Sequence, residues 1–251
     1  MSTFKVELPE DERDLVLINQ REQLRKRNEY VKGCQNSIRL AVELNRRNVN
    51  KDIMNIHGMS AAKNRIMLNH LVSYPKARYL EVGVYAGATF CAALAGNKPE
   101  YACAIDNFTE FTEYANPEKE FLSNTKKFVN TKFDFFKRDC FDLTKAQKEK
   151  LKKQRINMFY YDGPHTEEDH VKAITEYYDF LDEVFIIIVD DWNELPVRNG
   201  TFRGLKAMDL KVWWQIDLKA DTSTGSMDKR EWWNGVWVAV CQKRTRKIEV
   251  K

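Results

Sequence analysis

What this 251-residue chain lacks narrows it first. No stretch approaches the roughly 18 consecutive apolar residues of a membrane-spanning helix, and the opening "MSTFKVELPEDERD" has no apolar core like that of a signal peptide. A soluble, cytoplasmic protein with no membrane partner is the expectation. Cys34, Cys91, Cys103, Cys140 and Cys241 are odd in number and widely separated, with no C-x-x-C pair and no histidine at metal-ligand spacing. That pattern argues against a disulfide scaffold or a thiolate zinc site and predicts reduced, mostly buried thiols. Neither G-x-x-x-x-G-K-[ST] nor G-x-G-x-x-G occurs, so the turns that cradle a di- or triphosphate are missing.

What is present suits one large globular domain, or one domain carrying an extension: 43% of positions are hydrophobic and 31% charged. The net charge of +4 is unevenly spread. Arg21, Arg25, Lys26, Arg27, Lys32, Arg39, Arg46, Arg47 and Lys51 face only Glu22, Glu29 and Glu43 over the same stretch. Such an arm is either a solvated helix surface or a face for nucleic acid or an acidic partner.

Up to about Tyr74 the apolar residues recur at helical spacing, with Ser60 as a candidate N-cap for "SAAKNRIMLNHLVSY". From Arg78 the rhythm changes to short apolar runs, "RYLEVG", "YACAID", "FDFFKR", "NMFYYD" and "VFIIIVD", separated by segments of helical composition. Strands apolar throughout and alternating with helices predict a parallel sheet covered on both faces. After Asp191, "LKVWWQIDL" and "GVWVAVCQK" read as two more strands joined by a long hairpin-like connection. The expected architecture is α/β: a doubly wound, mostly parallel, seven-stranded sheet of Rossmann-like type with an N-terminal helical extension. The divisions are 1–74 for the extension, 75–243 for the main domain and 244–251 for a basic tail.

Ligands bind an open parallel sheet at the carboxyl ends of its strands. Those ends read "EVGVYAG", "DNF", "RDCFD", "DGPH" and "DDWN", and four of the five carry aspartate. Gly83 and Gly87 would let backbone approach a ligand, and the following helix would turn its amides toward it. Asp106, closing the next strand, is placed to accept both hydroxyls of a ribose. A glycine turn with a ribose acid and no pyrophosphate turn suggests a nucleoside cofactor without a diphosphate. Adjacent residues of a strand point to opposite faces, so Asp190 and Asp191 converge only where the strand ends and the backbone turns.

The ordered set "YLEVGVYAG", "AIDNF", "RDCFD", "FYYDGPH" and "FIIIVDDWN" resembles the class I S-adenosylmethionine-dependent methyltransferases, over roughly 60–243. More narrowly it resembles the branch that contains macrocin O-methyltransferase and related small-molecule enzymes with D-G-x-H and a D-D pair. The resemblance implies cofactor contacts from Glu81, Gly83, Tyr85 and Gly87 at the methionine end, Asp106 and Asn107 at the ribose, and Asp139 and Cys140 beside the adenine. It implies Mg²⁺ on Asp162, Asp190 and Asp191, which suits three hard oxygen ligands. Asp162 and His165 are then the catalytic candidates, with His165 as the base for a substrate hydroxyl. His165 as a mere helix cap is the plain alternative.

The implied activity is O-methyl transfer to a hydroxylated small molecule, with a sugar or glycoside among the candidate acceptors and a homo-oligomer as a further expectation. Trp232 and Trp233 are candidates to hold a ring or to pack against the N-terminal helices; Arg198 and Thr201 are candidates for an anionic group, with Asn199 or Thr201 as an N-cap the simpler account. The rival reading is a non-catalytic or metal-dependent Rossmann-like protein that binds a nucleotide or nucleic acid through its basic N-terminal helices. The N-P-P-Y or D-P-P-Y motif of amino-methylating nucleic-acid enzymes is absent, since the fourth strand is followed by Asp162-Gly163-Pro164-His165.

Overall fold

The structure, a computed structural model, describes residues 10–112, 116–219 and 231–244. Most of the polar connection 220–234 and of the basic tail therefore lies outside the described residues. Three helices come first: α1 (Glu10–Val42), α2 (Lys51–Met54) and α3 (Ala62–Val72). Strands and helices then alternate as β1 (Arg78–Val82), α4 (Ala88–Leu94), β2 (Tyr101–Asp106), α5 (Pro117–Phe128), β3 (Asp134–Lys137), α6 (Lys145–Gln154), β4 (Ile156–Tyr161), α7 (Glu167–Thr175), β5 (Leu181–Val189) and α8 (Leu195–Ala207). A hairpin-like pair, β6 (Leu210–Leu218) and β7 (Val236–Lys243), closes the fold.

The seven strands lie in the order β3-β2-β1-β4-β5-β7-β6, and only β7 runs antiparallel to its neighbours. The order reverses between β1 and β4, the position where an open α/β sheet leaves a crevice for ligand. The alternation of side chains explains the two cores. Tyr79, Ala102, Met158, Tyr160, Ile186 and Val238 face a layer built on α1, α3, α4 and α5. Leu80, Cys103, Phe159, Ile187 and Trp237 face α6, α7 and α8. β4 is buried at all six positions, as a strand covered on both faces must be.

The N-terminal helices are part of the main core. Tyr30, Cys34, Ile38 and Ala41 of α1 join the same cluster as Tyr79, Val184 and Val240. A further tie lies at the opposite end of the sheet from the crevice, where buried Asp182 accepts from Arg78 Nη2 at 2.8 Å and Arg155 Nη2 at 2.7 Å, with Lys26 of α1 at 3.7 Å. Burial alone would raise the Asp182 pKa, but the bonds from Arg155 and the Glu183 amide, with the charge of Lys26, hold it below its ordinary value. All five cysteines are free and buried, as expected. Among the described residues no helix is long and apolar enough to cross a membrane.

Two local expectations need correction. Ala61, not Ser60, caps α3, because the Ser60 hydroxyl is taken by Arg65 Nε at 3.0 Å. Arg198 and Thr201 lie inside α8, whose N-cap is Glu194. Arg198 donates to the carbonyls of Trp192 and Asn193, and Thr201 is buried against His170, so neither stands free for an anionic group.

Candidate active site at the carboxyl edge of the sheet

The turn after β1 puts every other residue in the left-handed region, with φ of +81° at Gly83, +45° at Tyr85 and +84° at Gly87. Its glycines also answer to neighbouring protein. A Cβ on Gly83 would stand 1.8 Å from the backbone oxygen of Asp162, because β1 and β4 run side by side there. A Cβ on Gly87 would meet the Phe121 ring at 3.0 Å. Asp106 fixes the turn from the end of β2: its Oδ2 accepts from the amides of Val84 and Tyr85, both at 2.8 Å, and its Oδ1 from Phe108 at 2.7 Å. Asn124 of α5 adds a bond to the Ala86 carbonyl at 2.9 Å.

Glu81 lies fully buried below the turn, where Tyr79 and Thr89 donate to its two oxygens. It ties β1 to α4, and burial pushes its carboxyl up to about 8. Further along the edge, Asn107 accepts from the Thr109 amide at 3.1 Å. Asp139 is exposed and accepts from the Phe141 amide at 2.8 Å, while Cys140 is buried with its carbonyl held by Tyr177. Asp106, Asn107, Asp139 and Cys140 thus follow one another along the ends of β2 and β3, joined by the Arg138 amide on the Asp106 carbonyl at 3.0 Å.

The loop 53–60 leans over this turn, and Arg65 is the reason. This buried guanidinium donates to the carbonyls of Ile53, Met54, Ile56, Gly58 and Ser60, besides the Ser60 hydroxyl. Burial lowers its pKa to about 10. Gly58 then lies against Ala88 at the start of α4, with room for no Cβ: the contact would be 2.7 Å. His57 meets Tyr85 edge to face at 5.5 Å between ring centres, so this segment lies over the glycine turn.

The two aspartates after β5 part company at a single bond. Asp191 is left-handed, with φ of +52°, and the chain beyond it pairs with the segment before β7 through Trp192 N to the Gly235 carbonyl and Asn193 N to the Asn234 carbonyl. Asp190 is therefore aimed inward. It is 2% exposed, its Oδ2 accepts from Tyr160 Oη, and its Oδ1 accepts from the Asp191 amide at 3.0 Å. Burial, then the neighbouring Asp191 charge, pushes its pKa up to about 8, which keeps it largely neutral near pH 7. Asp190 is thus sealed from solvent.

Asp191 turns outward, toward His165, whose Nε2 lies 3.1 Å from its Oδ2, while Asn234 Nδ2 donates to its Oδ1 at 2.8 Å. Asp162, after β4, completes the group: one ligand atom from each of Asp162, His165 and Asp191 falls within 4.8 Å of the others. Among the described residues no donor is bonded to the Asp162 carboxylate. Burial, and then the charges of Asp190, Asp191, Glu81 and Asp106, push its pKa well above the usual range. The site's chemistry is thus a half-buried carboxylate among carboxylates, a place that a cation relieves.

Sequence reasoning missed Arg65, Tyr160 and Asn234. Arg65 had no clear signal, since its helix also carries Lys63, Asn64, Asn69 and His70. The other two act through partners 30 and 43 positions away and had none. Trp232 is a core residue, 5% exposed, and so packs as the plainer reading held; Trp237 is buried and stacked on Trp192 at 4.9 Å.

Residues 80–192 match the family model described as a methyltransferase domain. No curated protein matches the chain. Among solved structures, a protein of Pyrococcus horikoshii provisionally assigned as an RNA methyltransferase superposes with a TM-score of 0.52 at 13% identity, over 84% of this chain and 98% of that one. A provisionally assigned S-adenosylmethionine-dependent methyltransferase of Streptococcus mutans gives 0.49 at 14% identity over 71% of this chain, which spans only 47% of that protein's length. An O-methyltransferase of Bacillus cereus, solved with S-adenosylhomocysteine, gives 0.47 at 11% identity over 82% and 91%. Residues 80–192 thus match a methyltransferase-domain model, and the strand order is that of the fold shared with the Pyrococcus horikoshii structure.

Proposed function

We propose that the protein is an S-adenosylmethionine-dependent O-methyltransferase for a hydroxylated small molecule, with sugars and glycosides as the first acceptors to test. One observation carries the reading: the Asp162 carboxylate stands beside His165 and Asp191, on the strand end against which the glycine turn is packed. A sulfonium cation and an acceptor hydroxyl brought to this edge would meet at that cluster.

The residues fit the cofactor in kind. The acid-rich edge attracts a positive sulfonium, and Asp106 Oδ1, with one protein donor, keeps a lone pair for a ribose hydroxyl. When bound, the cofactor supplies an electrophilic methyl group. The chain's own part is to orient and to move a proton. His165, oriented by Asp191, which Asn234 holds in turn, takes the proton of the acceptor hydroxyl. The loop 53–60 shields the glycine turn from water. Glu81 and Asp190, each bonded to protein donors, keep the strand ends in place.

The same trio, Asp162, His165 and Asp191, also fits a divalent cation; with the imidazole on the ion His165 would not be the base, and the ion itself would lower the pKa of a bound hydroxyl. This trio replaces the all-aspartate set with one that includes imidazole. Two carboxylates and one imidazole suit Mn²⁺ at least as well as Mg²⁺. The test is methyl transfer from methyl-labelled S-adenosylmethionine to a panel of sugars, glycosides and phenols, with EDTA, Mg²⁺ or Mn²⁺. The expected result is a methyl ether whose formation EDTA suppresses and Mn²⁺ restores. Label appearing only on nitrogen or carbon would overturn O-methyl transfer, and full activity in EDTA would remove the metal.

A further inference from the structure

A second, basic site lies at the other end of the sheet. One face of α1, with Leu17, Gln20, Arg21, Leu24 and Arg27, forms a groove of about 920 Å³ with the edge strand β6 and the end of β7. Its centre is Trp213. The Arg27 guanidinium stands 3.6 Å and Lys211 Nζ 3.5 Å from the indole ring centre, which two cations can do only from opposite faces. Gln242 accepts from the indole Nε1 at 2.8 Å and itself donates to Gln23 of α1 at 2.7 Å, so the sandwich is held to both walls.

The charges in this groove are unbalanced. Arg21, Arg27, Lys211, Lys243 and Arg244 line it, against Asp209 as the acid, and Asp209 is paired with Arg244 at 3.1 Å. Among the described residues Arg21, Arg27 and Lys211 have no carboxylate within ion-pair distance, while Lys243 donates to the Leu181 carbonyl at 2.7 Å and feels the charges of Glu183 and Asp179. Burial lowers the pKa of both Arg27 and Lys243, as cations crowded away from water require. Fixed like charges without counter-charge repel one another, and an anion that enters relieves them.

Position excludes this groove from the methyl-transfer site. Gln242 pairs with Val184, six residues back along β5 from Asp190, so the two sites are about 20 Å apart along the strand. The acidic edge at the far end repels the same anions that the groove attracts. A polyanion held here is docked, not methylated.

We propose that this groove binds the phosphate backbone of a single nucleic-acid strand. Shape favours a strand over an anionic membrane, since the cations line a concave groove that a flat bilayer does not enter. The two cations flanking Trp213 stand on opposite faces of the indole, so each is free to meet a separate phosphate of a strand. Both faces of the indole are already occupied, so bases have nothing to stack on and binding is indifferent to sequence.

The test is fluorescence anisotropy of the full chain with an end-labelled oligouridylate of about 20 nucleotides. With about four phosphates neutralised, affinity is expected to fall roughly fifty-fold between about 50 and about 200 mM salt. The pair Arg27→Glu and Lys211→Glu should weaken binding by about tenfold or more and flatten the salt dependence, with S-adenosylhomocysteine binding unchanged as the control for folding. If that pair does not fold, Arg21→Glu, at an exposed position, should weaken binding about threefold. Asp106→Ala should leave the oligonucleotide affinity unaltered, which separates this proposal from the methyl-transfer reading. Affinity indifferent to the charge reversals, equal binding to phosphatidylserine vesicles lost with the same substitutions, or equal competition by polyglutamate of matched charge each overturns it.

Discussion

Gly83→Ala is expected to destabilise the protein by about 3–5 kcal/mol and to abolish cofactor binding, although it adds only one methyl group. The added Cβ would lie 1.8 Å from the Asp162 carbonyl oxygen and 2.5 Å from its carbon. Neither backbone can move aside. The Gly83 amide is bonded to the Ile105 carbonyl and the Asp162 amide to the Val82 carbonyl, both at 2.9 Å, so a shift would break pairing between β1, β2 and β4. The φ of +81° adds the cost of a left-handed alanine. Gly87→Ala serves as the milder comparison, since there the contact is a Phe121 side chain at 3.0 Å and not a backbone atom at 1.8 Å. Denaturant unfolding of the two variants should rank them in that order. Near-equal stability would mean that the β1–β4 approach is looser than described.

Asp191→Asn is expected to lower kcat by about 10²–10⁴-fold while leaving stability unchanged or slightly raised. The asparagine Oδ1 can still accept from Asn234, so the turn survives, but the charge that orients and stabilises a protonated His165 is gone. One negative charge fewer among Asp162, Asp190 and Asp191 also relieves repulsion in the folded state. Asp190→Asn should behave differently. Asp190 is largely neutral near pH 7, held by Tyr160 and the Asp191 amide, so the amide is a close substitute and kcat should change by less than about tenfold. Thermal melting and steady-state kinetics on both variants check the pair. Equal losses would show that the two carboxylates act as one unit.

The contrast between these neighbours marks the limit of what the sequence revealed. The strand ends were legible because fully apolar runs alternating with helical segments admit few arrangements, and a sheet of seven strands with a final hairpin-like pair followed. That an acid closes most of those strands was legible for the same reason. The division of labour between Asp190 and Asp191 was not, because it depends on one left-handed residue and on Tyr160 across the neighbouring strand. Gly83 was recognisable as special, but its contact with Asp162 was not, since that neighbour lies 79 positions on. The N-terminal helices were legible as helices, yet their place over one face of the sheet follows from Tyr30, Cys34 and Ile38 meeting residues as distant as Val240. Such contacts leave no local pattern to read.

The central claim is that the glycine turn, Asp106 and the loop pinned by Arg65 form a pocket for S-adenosylmethionine. Calorimetric titration of the folded chain with S-adenosylhomocysteine tests it most directly. The account predicts saturable binding to one site per chain, weakened about tenfold or more by Asp106→Ala as charged hydrogen bonds to the ribose are lost. No heat of binding with millimolar ligand, from protein whose melting curve shows it folded, would contradict it.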